Sequence, residues 1–146
     1  NTPPPGYSGR PFDTRKGVVP LPAVGRVATQ FGQPIAKGRT QKGLTLETVK
    51  SAQVIAPYEG RVAFSGPFRA YGELLIIEHN GGYHTLLAGM AHIDVAVGQW
   101  VLTGEPVGTM GNEVTRKPAL YWEIRRKGQP INPLPWLAVR EGKVSG

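Results

Sequence analysis

Short apolar stretches alternate with polar, glycine- or proline-marked breaks along almost the whole chain, and the spacing is that of strands rather than helices. Gly17-Val18-Val19 and Gly25-Arg26-Val27-Ala28 open the pattern, and Leu44-Thr45-Leu46 alternates at period two. Val54-Ile55-Ala56 leads through a turn at 57–60 into Arg61-Val62-Ala63-Phe64-Ser65, after a polar, loop-like stretch at 39–43. Leu74-Leu75-Ile76-Ile77 is continuously apolar, as in a strand buried on both faces. Asn80-Gly81-Gly82 predicts a hairpin turn that returns through Tyr83-His84-Thr85-Leu86-Leu87. Residues 87–93 are predicted to make a short helical turn, and 95–97, 100–101 and 107–110 further short strands. In Ala119-Leu120-Tyr121-Trp122-Glu123-Ile124-Arg125 the alternation places Leu120, Trp122 and Ile124 in the core. Tyr121, Glu123 and Arg125 then share an accessible face. Asn132-Pro133-Leu134-Pro135-Trp136-Leu137 is expected to cap the domain. The expected fold is all-β with few or no helices: a flexible Pro/Gly-rich arm over 1–15, one domain over 16–138, and a C-terminal tail over 139–146.

Composition sharpens this. Glycine and proline make up 34 of 146 residues, which excludes coiled coils and helical bundles and leaves room for one core. No apolar run approaches the roughly 20 residues of a membrane-spanning helix. The first residues lack both an initiator Met and a secretory signal pattern, and read as the start of a processed piece of a longer chain. Absence of cysteine excludes disulfides, thiolate metal sites and cysteine nucleophiles. The net charge is +7, with +5 of it between Arg116 and Lys143, and suits an acidic partner such as an anionic cell-wall polymer.

Candidate chemistry is sparse. Val54–Val62 and Val97–Gly108 are similar to the half-repeats of biotinyl and lipoyl carriers, but 64–96 contains no lysine to carry the cofactor. His79, His84 and His92 lack the spacing that aims two imidazoles at one metal, so exposed or hydrogen-bonded histidines are expected instead. Gly-x-Ser-x-Gly and phosphate-binding loops are absent. Only Tyr121 is placed to stack on a base near Arg125 and Arg126, so nucleic acid is not an expected partner.

A set of ordered motifs carries a family resemblance. Phe31-Gly32, Lys42-Gly43, Ala56-Pro57-Tyr58-Glu59-Gly60-Arg61-Val62, Tyr71-Gly72, Ile77-Glu78-His79, Gly98-Gln99, Leu120-Tyr121-Trp122-Glu123-Ile124-Arg125 and Gly128-Gln129-Pro130-Ile131-Asn132-Pro133 occur in the order of LytM-type (lysostaphin-like) domains. The resemblance implies that fold, with compact antiparallel sheets. Active members are zinc endopeptidases of peptidoglycan. Their His-x-Gly-x-Asp metal segment is replaced here by Gln41-Lys42-Gly43-Leu44-Thr45, so Gln41 and Thr45 stand at two ligand positions. Tyr121 stands at the third ligand position, and Ala119 and Gly89 at the two catalytic histidines. Neutral oxygens hold Zn²⁺ poorly, and Ala and Gly offer no proton acceptor. The resemblance therefore implies a domain with neither catalysis nor cofactor.

Within the family, the chain most resembles the degenerate EnvC-type activators of murein hydrolases. The resemblance implies a periplasmic protein of cell division. Its groove would bind a zinc-dependent N-acetylmuramoyl-L-alanine amidase and relieve the enzyme's autoinhibition. Lys42, Tyr71, Tyr121 and Arg125 match the groove residues of that type. EnvC-type proteins also dock on the FtsEX membrane complex through a coiled coil, which this sequence does not contain. An alternative is a peptidoglycan-binding module using the same groove. From the residues alone, Tyr121 could equally fill a collapsed metal site, and Arg125 could pair locally with Glu123 or Glu78.

Overall fold

The computed structural model describes residues 2–138. Strands β1 (Gly25–Thr29), β2 (Pro34–Ala36), β3 (Arg39–Thr40), β4 (Leu44–Thr48), β5 (Gln53–Ile55), β6 (Gly60–Phe68) and β7 (Gly72–His79) come first. They are followed by β8 (Tyr83–Ala88), β9 (His92–Ile93), β10 (Trp100–Val101), β11 (Pro106–Thr109), β12 (Ala119–Arg126) and β13 (Gln129–Ile131). An eight-stranded sheet has the order β1-β4-β12-β8-β7-β6-β10, with β13 paired to β12, and all its pairings are antiparallel. A three-stranded sheet, β5-β11-β9, and the β2–β3 hairpin complete the strands. Among the described residues the helical elements are single 3-10 turns, at Phe12–Arg15, Arg69–Tyr71 and Leu134–Trp136.

The large sheet has two different faces. Registers Leu46↔Leu120, Leu44↔Trp122, Trp122↔Leu87 and Leu87↔Leu75 align fully buried side chains across four strands. Val54 and Val107 of the small sheet belong to the same core. The other face holds a second, smaller cluster of Leu74, Leu86 and Ala88, flanked by Phe64, Tyr71, Ile76 and Tyr121. This explains the uninterrupted apolar run in β7: Leu75 and Ile77 fill the main core, and Leu74 packs on the opposite side.

Several expectations need correction. Within the segment expected as a flexible arm, 1–15, Ser8, Gly9 and Phe12 are tied to the body. Glu59 accepts hydrogen bonds from the Ser8 and Gly9 backbone N–H groups and from Ser8 Oγ, at 2.7–2.9 Å. Phe12 is fully buried, stacked 4.9 Å from the His79 ring and 4.7 Å from Trp136. The partners lie far away in sequence, so local composition does not reveal them. The turn at Leu134–Trp136 caps this aromatic cluster as expected, with Trp136 also packed on Tyr83. Residues 87–93 form no helix: β8 runs to Ala88, Gly89 turns at φ +105°, and β9 follows at once. Residues 95–97 and 17–18 lie outside the strands, whereas Arg39–Thr40 form one. The tail expected over 139–146 lies outside the described residues.

Candidate functional site

The second face of the large sheet is built in rows, because antiparallel partners point the same way. One row runs Thr45, Tyr121, Ala88, Leu74 across β4, β12, β8 and β7. The next is Glu123, Leu86, Ile76, and a third is Arg125, His84, Glu78, Arg61. Apolar surface under Tyr121 therefore gives way, two residues along β12, to a row of charges.

Above these rows, the loop after β3 and the turn Arg69–Tyr71 close a concavity of about 490 Å³. Gln41, Lys42, Tyr71, Tyr121 and Glu123 line it, with Ile35 of the β2–β3 hairpin at its rim. Four residues singled out in the sequence, Gln41, Lys42, Tyr71 and Tyr121, are thus brought together. Arg125 does not line the concavity but is coupled to it through Glu123. Gly89 and Ala119 line a neighbouring recess of about 430 Å³ with Arg116 and Lys117.

Glu123 organises the site, and strand alternation gives its face but not its burial. It was expected on an accessible face, yet it is only 1% exposed. Its Oε2 accepts from Tyr121 Oη at 2.6 Å, with Tyr71 Oη at 3.5 Å, and its Oε1 accepts from Arg125 Nε at 2.7 Å. The flanking side chains cover it, and the adjacent strand end leaves room only because residue 43 is glycine. A Cβ there would lie 2.9 Å from Glu123 Cγ and 2.4 Å from the Trp122 carbonyl oxygen. The local Arg125–Glu123 ion pair considered from sequence is present, with the Arg125 side chain still 32% exposed. Burial, followed by the bond to Glu123, pushes the Tyr121 phenol well above its ordinary range. Burial and the Glu123 charge raise Tyr71 as well. Both phenols are neutral hydroxyls at any physiological pH.

The donor set at the positions that the resemblance assigns to metal ligands does not fit zinc. Gln41 Nε2 donates to Thr45 Oγ1 at 2.8 Å and Tyr121 Oη donates to Glu123, so none of these three positions supplies an anionic or imidazole donor. Gly89 departs further from a catalytic position. Its φ is +105°, and a Cβ there would lie 2.4 Å from the Ala119 carbonyl oxygen, so a histidine requires the backbone to move. The three histidines are dispersed. His79 sits in the main core with Nδ1 2.7 Å from the Glu59 carbonyl oxygen and Nε2 2.7 Å from Thr85 Oγ1. A neutral ring with its proton on Nδ1 satisfies both bonds, and burial lowers its pKa to about 4. His84 is half-buried in the charged row and His92 is exposed.

The profile of Peptidase family M23 matches residues 39–133. Murein hydrolase activator NlpD of Escherichia coli is 38% identical over 123 residues, which cover 82% of this chain and 31% of that protein. Murein hydrolase activator EnvC of Escherichia coli is 32% identical over 117 residues, covering 80% and 28%. The lipoprotein NlpD/LppB homolog of Pseudomonas aeruginosa is 36% identical over 129 residues, covering 84% and 43%. The chain therefore spans less than half the length of each of these relatives. Among solved structures, lysostaphin superposes with a TM-score of 0.72 at 18% identity, over 90% of this chain and 58% of that one. Helicobacter pylori Csd3 gives 0.74 at 22%, over 90% and 38%. These two likenesses show the fold.

Proposed function

The chain belongs to Peptidase family M23, and from that premise we propose that it is a non-catalytic activator of a cell-wall amidase. Its groove binds a zinc-dependent N-acetylmuramoyl-L-alanine amidase in the Gram-negative periplasm and relieves the enzyme's autoinhibition during peptidoglycan remodelling at cell division. The observation that carries this reading is the gathering of Lys42, Tyr71 and Tyr121 in one open concavity, with Arg125 tied to its floor. Tyrosine and arginine are the residue types most concentrated in binding hot spots. Relatives named murein hydrolase activators support the same reading, and so does a donor set unsuited to zinc.

The groove is cationic. Lys42 has no ion-pair partner among the described residues, and Arg125 shares its charge with one carboxylate. An acidic segment of the amidase is the matching partner. The overall charge of +7 favours a second reading, in which the groove binds peptidoglycan itself.

Arg125→Ala and Lys42→Ala separate the two. Under the activator reading each lowers amidase affinity, with arginine costing on the order of 2 kcal/mol, while sedimentation with purified sacculi is unchanged. Loss of sacculus binding with unaltered amidase affinity favours the second reading.

A further inference from the structure

We propose that Glu123 is a positioning residue that fixes the hydrogen-bond polarity of the groove: Tyr121 faces the partner as an acceptor and Arg125 as a donor. The proposal rests on the activator reading and specifies the chemistry of the contact. A carboxylate accepts and cannot donate. At 2.6 Å from Glu123 Oε2, the Tyr121 hydroxyl has its single proton committed inward, and its oxygen retains acceptor capacity toward the cavity it lines. Arg125 spends Nε on Glu123 Oε1 and has the Tyr71 hydroxyl beside it, while its side chain stays 32% exposed. A guanidinium carries five N–H donors, so N–H groups remain to donate to a carboxylate of the partner. Lys42 adds a donor on the cavity that Tyr121 lines. The complementary partner therefore presents a carboxylate to Arg125 and an N–H or O–H group to Tyr121. A partner offering acceptors at both points leaves a lone pair facing a lone pair at Tyr121.

Glu123→Gln keeps the shape and changes the polarity. The amide oxygen can still accept from Arg125 Nε, but its NH₂ then faces Tyr121 and must donate to Oη, turning the phenol proton outward. Tyr121→Phe removes the acceptor, together with the hydrogen bond that Tyr121 Oη donates to Glu123 Oε2, while leaving the Arg125–Glu123 pair. The experiment titrates the whole 146-residue chain against the amidase by calorimetry, with wild type, both single variants and the double variant, and thermal melts as the fold control.

Glu123→Gln is expected to weaken binding about tenfold in the wild-type background and less than about threefold in the Tyr121→Phe background. Ultraviolet titration supplies a readout that a merely structural role leaves unmoved. Glu123→Gln should bring the Tyr121 and Tyr71 phenols down toward the ordinary tyrosine range, and adding Tyr121→Phe should leave only the Tyr71 change. Wild-type affinity in a folded Glu123→Gln chain, or an equal loss in both backgrounds, overturns the proposal and leaves the activator reading standing. No binding by the wild-type chain overturns the activator reading itself, and the partner assignment with it.

Discussion

At the level of single residues, the buried groups divide into those that serve the groove and those that hold the core. Glu123 serves the groove, whereas His79 is held neutral in the core between Glu59 and Thr85. Its folded pKa of about 4 lies below the ordinary 6.5, so between these values the unfolded chain binds a proton that the native one does not. Stability from this residue is complete above pH 6.5 and falls as pH drops toward 4, by about 3 kcal/mol at the limit. Urea midpoints measured across that range check the slope, and His79→Gln should flatten it. Gly89→Ala forces a Cβ against the Ala119 carbonyl oxygen in left-handed backbone, and should destabilise the fold by about 2 kcal/mol in thermal melts. The pairing of Tyr121 with Arg125 across one strand face was legible in the alternation of β12. The burial of Glu123 between them was not, because it depends on Gly43 and Tyr71 arriving from distant segments.

At the level of elements, strands with two-residue alternation or an Asn-Gly-Gly turn were readable from sequence, as β4, β7, β8 and β12 demonstrate. Their signals are local: side-chain period and turn backbone. The amino-terminal segment was not readable, since Pro/Gly composition describes only its own chain stiffness. What fastens it is the Glu59 carboxylate and an aromatic pocket formed by Tyr58, His79, Tyr83 and Trp136 around Phe12. Truncating Phe12→Ala should cost about 3–5 kcal/mol, read in denaturant midpoints. The groove face lies on the opposite side of the large sheet, so amidase affinity of the folded variant should stay at the wild-type value. A loss of affinity at unchanged stability would show that the amino-terminal segment takes part in binding. The apolar stretch after β8 was read as a helical turn because periodicity cannot separate short buried strands from short helices. Gly89, with its positive φ, settles the matter by turning the chain into β9.

At the level of the whole molecule, the chain keeps the Peptidase family M23 fold, and Gln41, Thr45, Tyr121, Ala119 and Gly89 offer neither a carboxylate nor an imidazole. The order of motifs made the family legible in the sequence, and the resemblance pointed to EnvC-type activators. NlpD of Escherichia coli is also similar, at 38% identity, so the likeness extends to both kinds of murein hydrolase activator. The central proposal is that the open concavity and its cationic surface bind a cell-wall amidase. The most direct measurement is release of soluble fragments from labelled peptidoglycan by this chain alone, by a cell-wall amidase alone, and by the two together. The account predicts no release above background by the chain alone and a large gain in the mixture, which Arg125→Ala lowers at a fixed, sub-saturating concentration of the chain. Release by the chain alone, or a mixture no more active than the amidase by itself, would contradict it.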